Sequence, residues 1–168
     1  MTSDIPPLPT SFTYAAARAA GLSDRRLSGL VREGAIERFG RGVYRKSEAP
    51  PVDLDLVEIA LRAPEATLCL TSALSHHDLT DTIPTALDIA LPRSRRPPRV
   101  APPVRWHRFH EETFALGRAS MEVDGDVFLG VYGAERCLVD AFRLRHQAGA
   151  AVAVEALRRW LRRTGSIP

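Results

Sequence analysis

"LSDRRLSGLVREGAIERFGRGVYRK", residues 22–46, decides how the N-terminal part of the chain is read. Ser23 suits a helix N-cap, because its hydroxyl accepts from the unpaired N–H groups of a first turn. Gly34 suits the stop. Between them Leu27, Leu30 and Val31 recur at i, i+3 and i+4, which predicts one buried stripe. Arg25, Arg26, Ser28, Gly29 and Arg32 fall away from that stripe. Then "AIERF" (35–39) predicts a short strand, Gly40-Arg41-Gly42 a tight turn, and "VYRK" (43–46) a returning strand.

Working outward, "YAAARAA" (14–20) predicts a preceding helix capped by Thr13 and stopped by Gly21. Residues 1–11 are Pro-rich and predict irregular chain. Two helices joined by a short turn and followed by a β-hairpin is the order of a winged helix-turn-helix, assigned to residues 10–47. "SEAPPVD" (47–53), with tandem prolines, reads as a linker to a second domain over 52–168.

In a helix-turn-helix the second helix enters the major groove with its N-terminal residues near base edges. Arginine can donate two parallel hydrogen bonds to guanine O6 and N7. Ser23, Arg25, Arg26 and Ser28 are therefore the expected base-edge residues, Ser28 being small enough for close approach. Arg32, Arg38, Arg41 and Arg45 are expected on phosphate or in a groove, Arg41 at the tip of the wing. The bland alternative is that these arginines form the solvated face of an amphipathic helix.

The second part reads as α+β with a mainly antiparallel sheet and C-terminal helices. "DLDLVEIALRA" (53–63) predicts a helix capped by Asp53 or Asp55, and "TSALSHHDL" (71–79) a shorter one. "TALDIAL" (85–91) predicts a strand with Leu87, Ile89 and Leu91 on one face, and "VRWHRF" (104–109) another. "ASMEV" and "DVFLGVY" flank Asp124-Gly125 as a hairpin. Two helices close the chain, "AERCLVDAFRLRHQ" (134–147) and "AVAVEALRRWLRR" (151–163). The basic, Pro-rich loop carrying Arg93, Arg95, Arg96 and Arg99 is either a solvated loop or a second surface for DNA backbone or an acidic partner.

Composition narrows the function classes. The chain has 168 residues, 45% hydrophobic and 26% charged, with a formal net charge of +3. Lys46 is its sole lysine, and arginines cluster at 25–45, 93–108 and 158–163. A clustered basic face is the electrostatic footprint of a nucleic-acid binder. No apolar run approaches the roughly 20 residues that span a bilayer, and the start lacks a secretory pattern. Cys69 and Cys137 sit in apolar contexts, which predicts reduced, buried thiols in a cytoplasmic protein.

Two constellations invite chemistry. His76-His77-Asp78 offers metal-binding types, but adjacent helical residues diverge by about 100° and a zinc site needs three or four ligands. Glu135, Arg136 and Asp140, with Asp124 and Asp126, invite a metal-dependent nuclease. No lysine follows Lys46 to activate such a site, so no catalytic residue, metal or cofactor is assigned. Arg136 and Asp140, four apart, are expected to form an ion pair that orients their helix.

"FTYAAARAAGLSDRRLSGLVREGAIERFGRGVYR" (12–45) resembles the N-terminal winged-helix domain of AbiEi-type antitoxins from type IV toxin–antitoxin systems. "TLCLTSALSHHDLTDTIPTALDIALPRSRR" (67–96) and "GVYGAERCLVDAFRLR" (130–145) continue the likeness, with Cys137 where the family usually has threonine. The resemblance implies a transcriptional autorepressor that binds operator repeats in double-stranded DNA, with a pair of molecules on repeated half-sites. It further implies counteraction of a nucleotidyltransferase-type toxin and a role in phage defence, without need for a stable toxin complex. Family members also carry an extra helix ahead of the segment at Thr13 and a helical segment beyond the equivalent of "GSIP", departures expected to bear on the DNA module and on toxin counteraction respectively. The rivals are an antitoxin acting mainly by protein contact and a DNA-targeted nuclease.

Overall fold

Two hydroxyls set the local order of the N-terminal segment. In the computed structural model, which describes residues 7–163, Thr13 Oγ1 accepts from Ala16 N at 3.1 Å and Ser23 Oγ from Arg26 N at 3.2 Å. They cap α1 (Tyr14–Ala19) and α2 (Asp24–Arg32). Strands β2 (Ile36–Gly40) and β3 (Val43–Lys46) follow as the expected hairpin. A third strand, β1 (Ser11–Thr13), starts at the last residue of the stretch expected to be irregular and pairs antiparallel with β3, giving the order β1-β3-β2. Its three residues are too few for a periodic signal, and only pairing with β3 makes them a strand. The expectations for residues 1–6 and for the "GSIP" end lie outside the described residues.

The chain divides into two compact units. The first runs to Pro64 and takes in Pro98–Ala101 and Glu122–Leu129. It therefore includes α3 (Leu54–Arg62), capped by Asp53, whose carboxylate accepts from Asp55 N and Leu56 N. The division falls after Pro64 rather than at the tandem prolines. Its core gathers Leu8, Phe12, Ala17, Leu22, Leu27, Leu30, Ile36 and Tyr44. Phe12 and Tyr44 stack with centroids 5.9 Å apart, so the aromatic residue of the returning strand seats the hairpin. Val31 departs from the expected stripe and is exposed, while Leu27 and Leu30 face the core, and Gly29, expected away from the stripe, is buried as well.

The second unit comprises Glu65–Pro97, Pro102–Met121 and the chain from Gly130 onward. The strands β4 (Thr67–Leu68), β5 (Leu87–Pro92), β6 (Val104–Phe109), β7 (Arg118–Asp124) and β8 (Val127–Tyr132) form one sheet of order β6-β5-β4-β8-β7. The α+β class holds, but the sheet is more mixed than expected. β4 is antiparallel to β5 and parallel to β8, and β5 is parallel to β6. Parallel neighbours need a crossover rather than a tight turn, and the Pro-rich segment 93–103 supplies it without a helix. Two-residue β4, which carries no readable alternation, sits at the centre. Asp88–Pro92 of β5 are all buried, since an interior strand is covered on both faces.

The helices of this unit are α4 (Leu70–His76), α5 (Glu111–Phe114), α6 (Ala134–Arg143), α7 (Arg145–Ala148) and α8 (Ala150–Arg163). The expected pair forms, Arg136 Nε lying 2.7 Å from Asp140 Oδ2. Arg136 also donates to the carbonyls of Thr113 and Leu116, each at 2.8 Å, and covers the Tyr132 ring at 4.6 Å. The two bonds tie α6 to α5 and the turn after it, and the ring contact ties α6 to β8. Cys69 and Cys137 are buried free thiols, and burial pushes the Cys137 thiol up to about 12. No helix among the described residues is long and apolar enough to cross a membrane.

Candidate nucleic-acid interface

The α2 helix sorts its side chains by period. Leu27 and Leu30 face inward, leaving Arg25, Ser28 and Arg32 exposed, one helical turn apart in succession. Asp24, in the first turn, would repel a phosphate, but it is already engaged. The Tyr14 hydroxyl donates to its Oδ1 at 2.7 Å and Arg18 Nη1 lies 3.6 Å away. The bond to Asp24 raises the Tyr14 phenol above its ordinary value. Tyr14 thus ties the start of α1 to the start of α2, a link that sequence periodicity does not reveal.

Arg26 differs from Arg25. Its guanidinium reaches along the helix to Glu33, Nη1 to Oε1 at 3.4 Å, and is partly covered. The Ser23 hydroxyl oxygen accepts the cap bond from Arg26 N, which orients the helix start and leaves the O–H free to donate. Arg25, Ser28 and Arg32 are the expected residues exposed along the helix itself.

The wing is shaped by its glycines. Gly42 has φ of +69°, a left-handed conformation that glycine adopts without a Cβ penalty. At Gly40 the requirement is space, since a Cβ would lie 2.7 Å from Val43 Cγ2 and 3.0 Å from Glu58 Cδ. The register shifts between Arg38 and Gly40, a bulge that strengthens local twist. Arg38 and Arg41 are both exposed. Arg38 Nε donates to the Gly40 carbonyl at 3.1 Å, and the Arg41 carbonyl accepts from Arg62 Nη2.

That last bond brings in α3. Glu58, almost fully buried, accepts from Arg62 Nε at 3.2 Å and from Ala101 N at 3.3 Å. Arg62 therefore braces the tip from behind while the Arg41 side chain stays free. A cavity of about 510 Å³ lies beside the wing, lined by Thr13, Tyr14, Arg38, Arg41, Leu61 and Arg62. Arg62 and Glu58 belong to this site although the linker reading put them in the second domain. Their i, i+4 spacing was the available signal.

Arg45 does not belong to the interface. Its side chain is 4% exposed, with Nε 2.9 Å from Asp124 Oδ2 and Nη2 3.2 Å from Oδ1. Nη1 donates to the Ala49 carbonyl at 3.3 Å and Nη2 to that of Pro50. All three nitrogens are occupied, and none is left for phosphate. The strand period explains this, because Arg45 lies in β3 between two neighbouring strands rather than at the wing tip.

Arg93, Arg95, Arg96 and Arg99 are exposed, but Arg99 falls in the first unit and the other three in the second. Arg95 is paired with Glu65. Among the described residues no group of three or more His, Cys, Asp or Glu is placed to hold a metal ion. His77 instead meets the Tyr132 carbonyl through Nε2 at 2.7 Å.

With this geometry in place, residues 12–45 match a family model described as "Transcriptional regulator, AbiEi antitoxin". The matched stretch runs from β1 through β3 and contains both helices and the wing. Over that stretch the chain is similar to a family described as a transcriptional regulator and antitoxin. No curated protein matches the chain.

Proposed function

We propose, from the premise that residues 12–45 are of AbiEi antitoxin type, that the protein is a cytoplasmic autorepressor and antitoxin. It binds operator repeats in the promoter of its own toxin–antitoxin pair as a sequence-specific reader of double-stranded DNA. Arg25 and Ser28 meet base edges in the major groove, Arg32 holds phosphate, and Arg38 and Arg41 hold the backbone or the adjacent groove. Its toxin is of the nucleotidyltransferase type, and the pair is a type IV system acting in phage defence.

The observation that carries the reading is the exposed row Arg25, Ser28 and Arg32 on α2, in the same unit as a wing with Arg38 and Arg41 exposed. A solvated amphipathic face would account for the helix alone. It would not account for a glycine-shaped hairpin braced by Arg62 at its tip.

The test is a binding titration on the protein's own promoter fragment against a scrambled duplex. Arg25→Ala should remove about 1–3 kcal/mol of discrimination between the two, the value of one good bidentate base contact. Discrimination equal to that of the unaltered protein would contradict the base-reading role.

A further inference from the structure

A cleft of about 440 Å³ opens in the second unit, along β6, and its lining includes Arg93, Trp106, His107, Arg108, Phe109 and Arg143. Every lining residue belongs to that unit, so the chemistry of the cleft is independent of the DNA-binding reading. The volume is that of a small-molecule site.

The charge is one-sided. Arg93 and Arg108 are exposed, and among the described residues neither has an ion-pair partner. Arg143 shares the Asp140 carboxylate with Arg136, at 2.8 and 2.7 Å, so two cations are offset by one anion. No acidic side chain lines the cleft, and Glu111, close to it in sequence, accepts from Ser94 N at 2.7 Å. Unmatched guanidiniums in a concave site select a phosphate or another compact anion, which they bind with paired N–H donors.

The walls are not only charged. Trp106 is half-buried, and Phe109 is buried with the Arg143 guanidinium 5.5 Å above its ring. His107 is buried, and its Nε2 lies 2.9 Å from Asp88 Oδ1, which fixes the imidazole from behind. Arg105 Nη1 reaches the same oxygen at 3.1 Å. Because β6 ends the sheet order, its outer backbone edge has no neighbouring strand among the described residues. Arg105 and Arg108 on that edge disfavour addition of another strand, which leaves the edge to a small ligand.

We propose that this cleft binds a mononucleotide, with the phosphate monoester on Arg93 and Arg108 and the base against Trp106. Aromatic rings accept any base by stacking, while the strand edge supplies hydrogen-bonding groups for its rim. The combination fits a phosphorylated flat ring better than a bare anion, for which Trp106 would serve no purpose.

Calorimetric titration of the full chain with the 5′-monophosphates of adenosine, guanosine, cytidine and uridine tests this. At least one should bind saturably, one per chain, with a Kd below about 1 mM. The double variant Arg93→Ala/Arg108→Ala should weaken that binding at least about tenfold, since it removes both unpaired guanidiniums. Trp106→Leu should weaken it by a similar factor, about tenfold, through lost stacking. The matching nucleoside and inorganic phosphate, each carrying half of the recognition, should bind at least about tenfold more weakly. Arg93 and Arg108 are exposed, so circular dichroism of the double variant should be unchanged. Absence of saturable binding for all four nucleotides overturns the proposal. So does unchanged affinity in the folded double variant, phosphate binding as tight as the nucleotide, or a response of the double variant to duplex DNA alone.

Discussion

Arg45 and Asp124 form a buried ion pair in which two guanidinium nitrogens face two carboxylate oxygens at 2.9 and 3.2 Å. The Ser11 hydroxyl completes the carboxylate shell by donating to Oδ2. An arginine that reads locally as part of a basic wing is therefore an internal strut of the first unit. Removing one partner leaves the other charge buried and uncompensated. Arg45→Ala should destabilise the protein by about 3–5 kcal/mol, the usual cost of breaking such a pair. Urea unfolding measures the loss. Promoter binding by the fraction that remains folded should keep its salt dependence, whereas a phosphate contact would lower the slope of log K against log salt by about 1.

The same pair sets an acid limit. Burial opposes ionisation of Asp124, but hydrogen bonds from Arg45 and Ser11 and the charge of Arg45 outweigh it, leaving the carboxyl below its ordinary value. A group with a depressed folded value binds its proton more weakly when folded. Its contribution to stability is therefore full above the ordinary carboxylate value of about 3.9, and it is lost as pH falls through the depressed one. Unfolding free energy followed down through that window should decline less steeply for Asp124→Asn than for the unaltered chain. Parallel declines would remove Asp124 as a source of acid sensitivity.

Arg32 and Arg41 differ from Arg26 in having open guanidiniums. Arg32→Ala and Arg41→Ala should each reduce the salt slope of promoter binding by about 0.9, the value of one phosphate contact on B-form DNA, and should weaken cognate and scrambled duplexes alike. Arg26→Ala should do less, because its guanidinium is held by Glu33 at 3.4 Å. Glu33→Gln releases it and should strengthen binding to both duplexes. Fluorescence polarisation over a salt series reports all four variants.

Two glycines separate space from propensity. Gly40→Ala forces a Cβ to within 2.7 Å of Val43 Cγ2 and 3.0 Å of Glu58 Cδ. It should cost about 1–3 kcal/mol, as overpacking does, and should disturb the wing with it. Gly29→Ala meets nothing closer than Glu33 Oε1 at 3.6 Å and sits inside α2, so it should stabilise by up to about 1 kcal/mol. Thermal unfolding of the two variants should move in opposite directions.

Much of the first unit is legible in short stretches. Thr13 and Ser23 announce their helices because a capping hydroxyl acts on donors within three residues. Gly42 announces the turn through its own φ. Further along the chain, β6 and the β7–β8 hairpin follow from alternation and the Asp124-Gly125 pair. Central β4 and edge β1 do not, since two or three residues carry no period and become strands only when neighbours pair with them. The parallel pairing of β5 with β6 is equally invisible locally, because the intervening Pro-rich segment reads the same whether it turns back or crosses over.

The sequence by itself determined the order of caps, helices and turns, the glycine-shaped wing and the presence of arginines along it. Only the tertiary structure decided which of those arginines face water. Arg25, Arg32 and Arg41 are exposed, Arg26 is turned onto Glu33, and Arg45 is sunk against Asp124. Local sequence sets backbone torsions and periodicity, which act over a few residues. Whether a guanidinium keeps its hydration or exchanges it for a carboxylate depends on a partner far along the chain, and only the folded packing brings the two together.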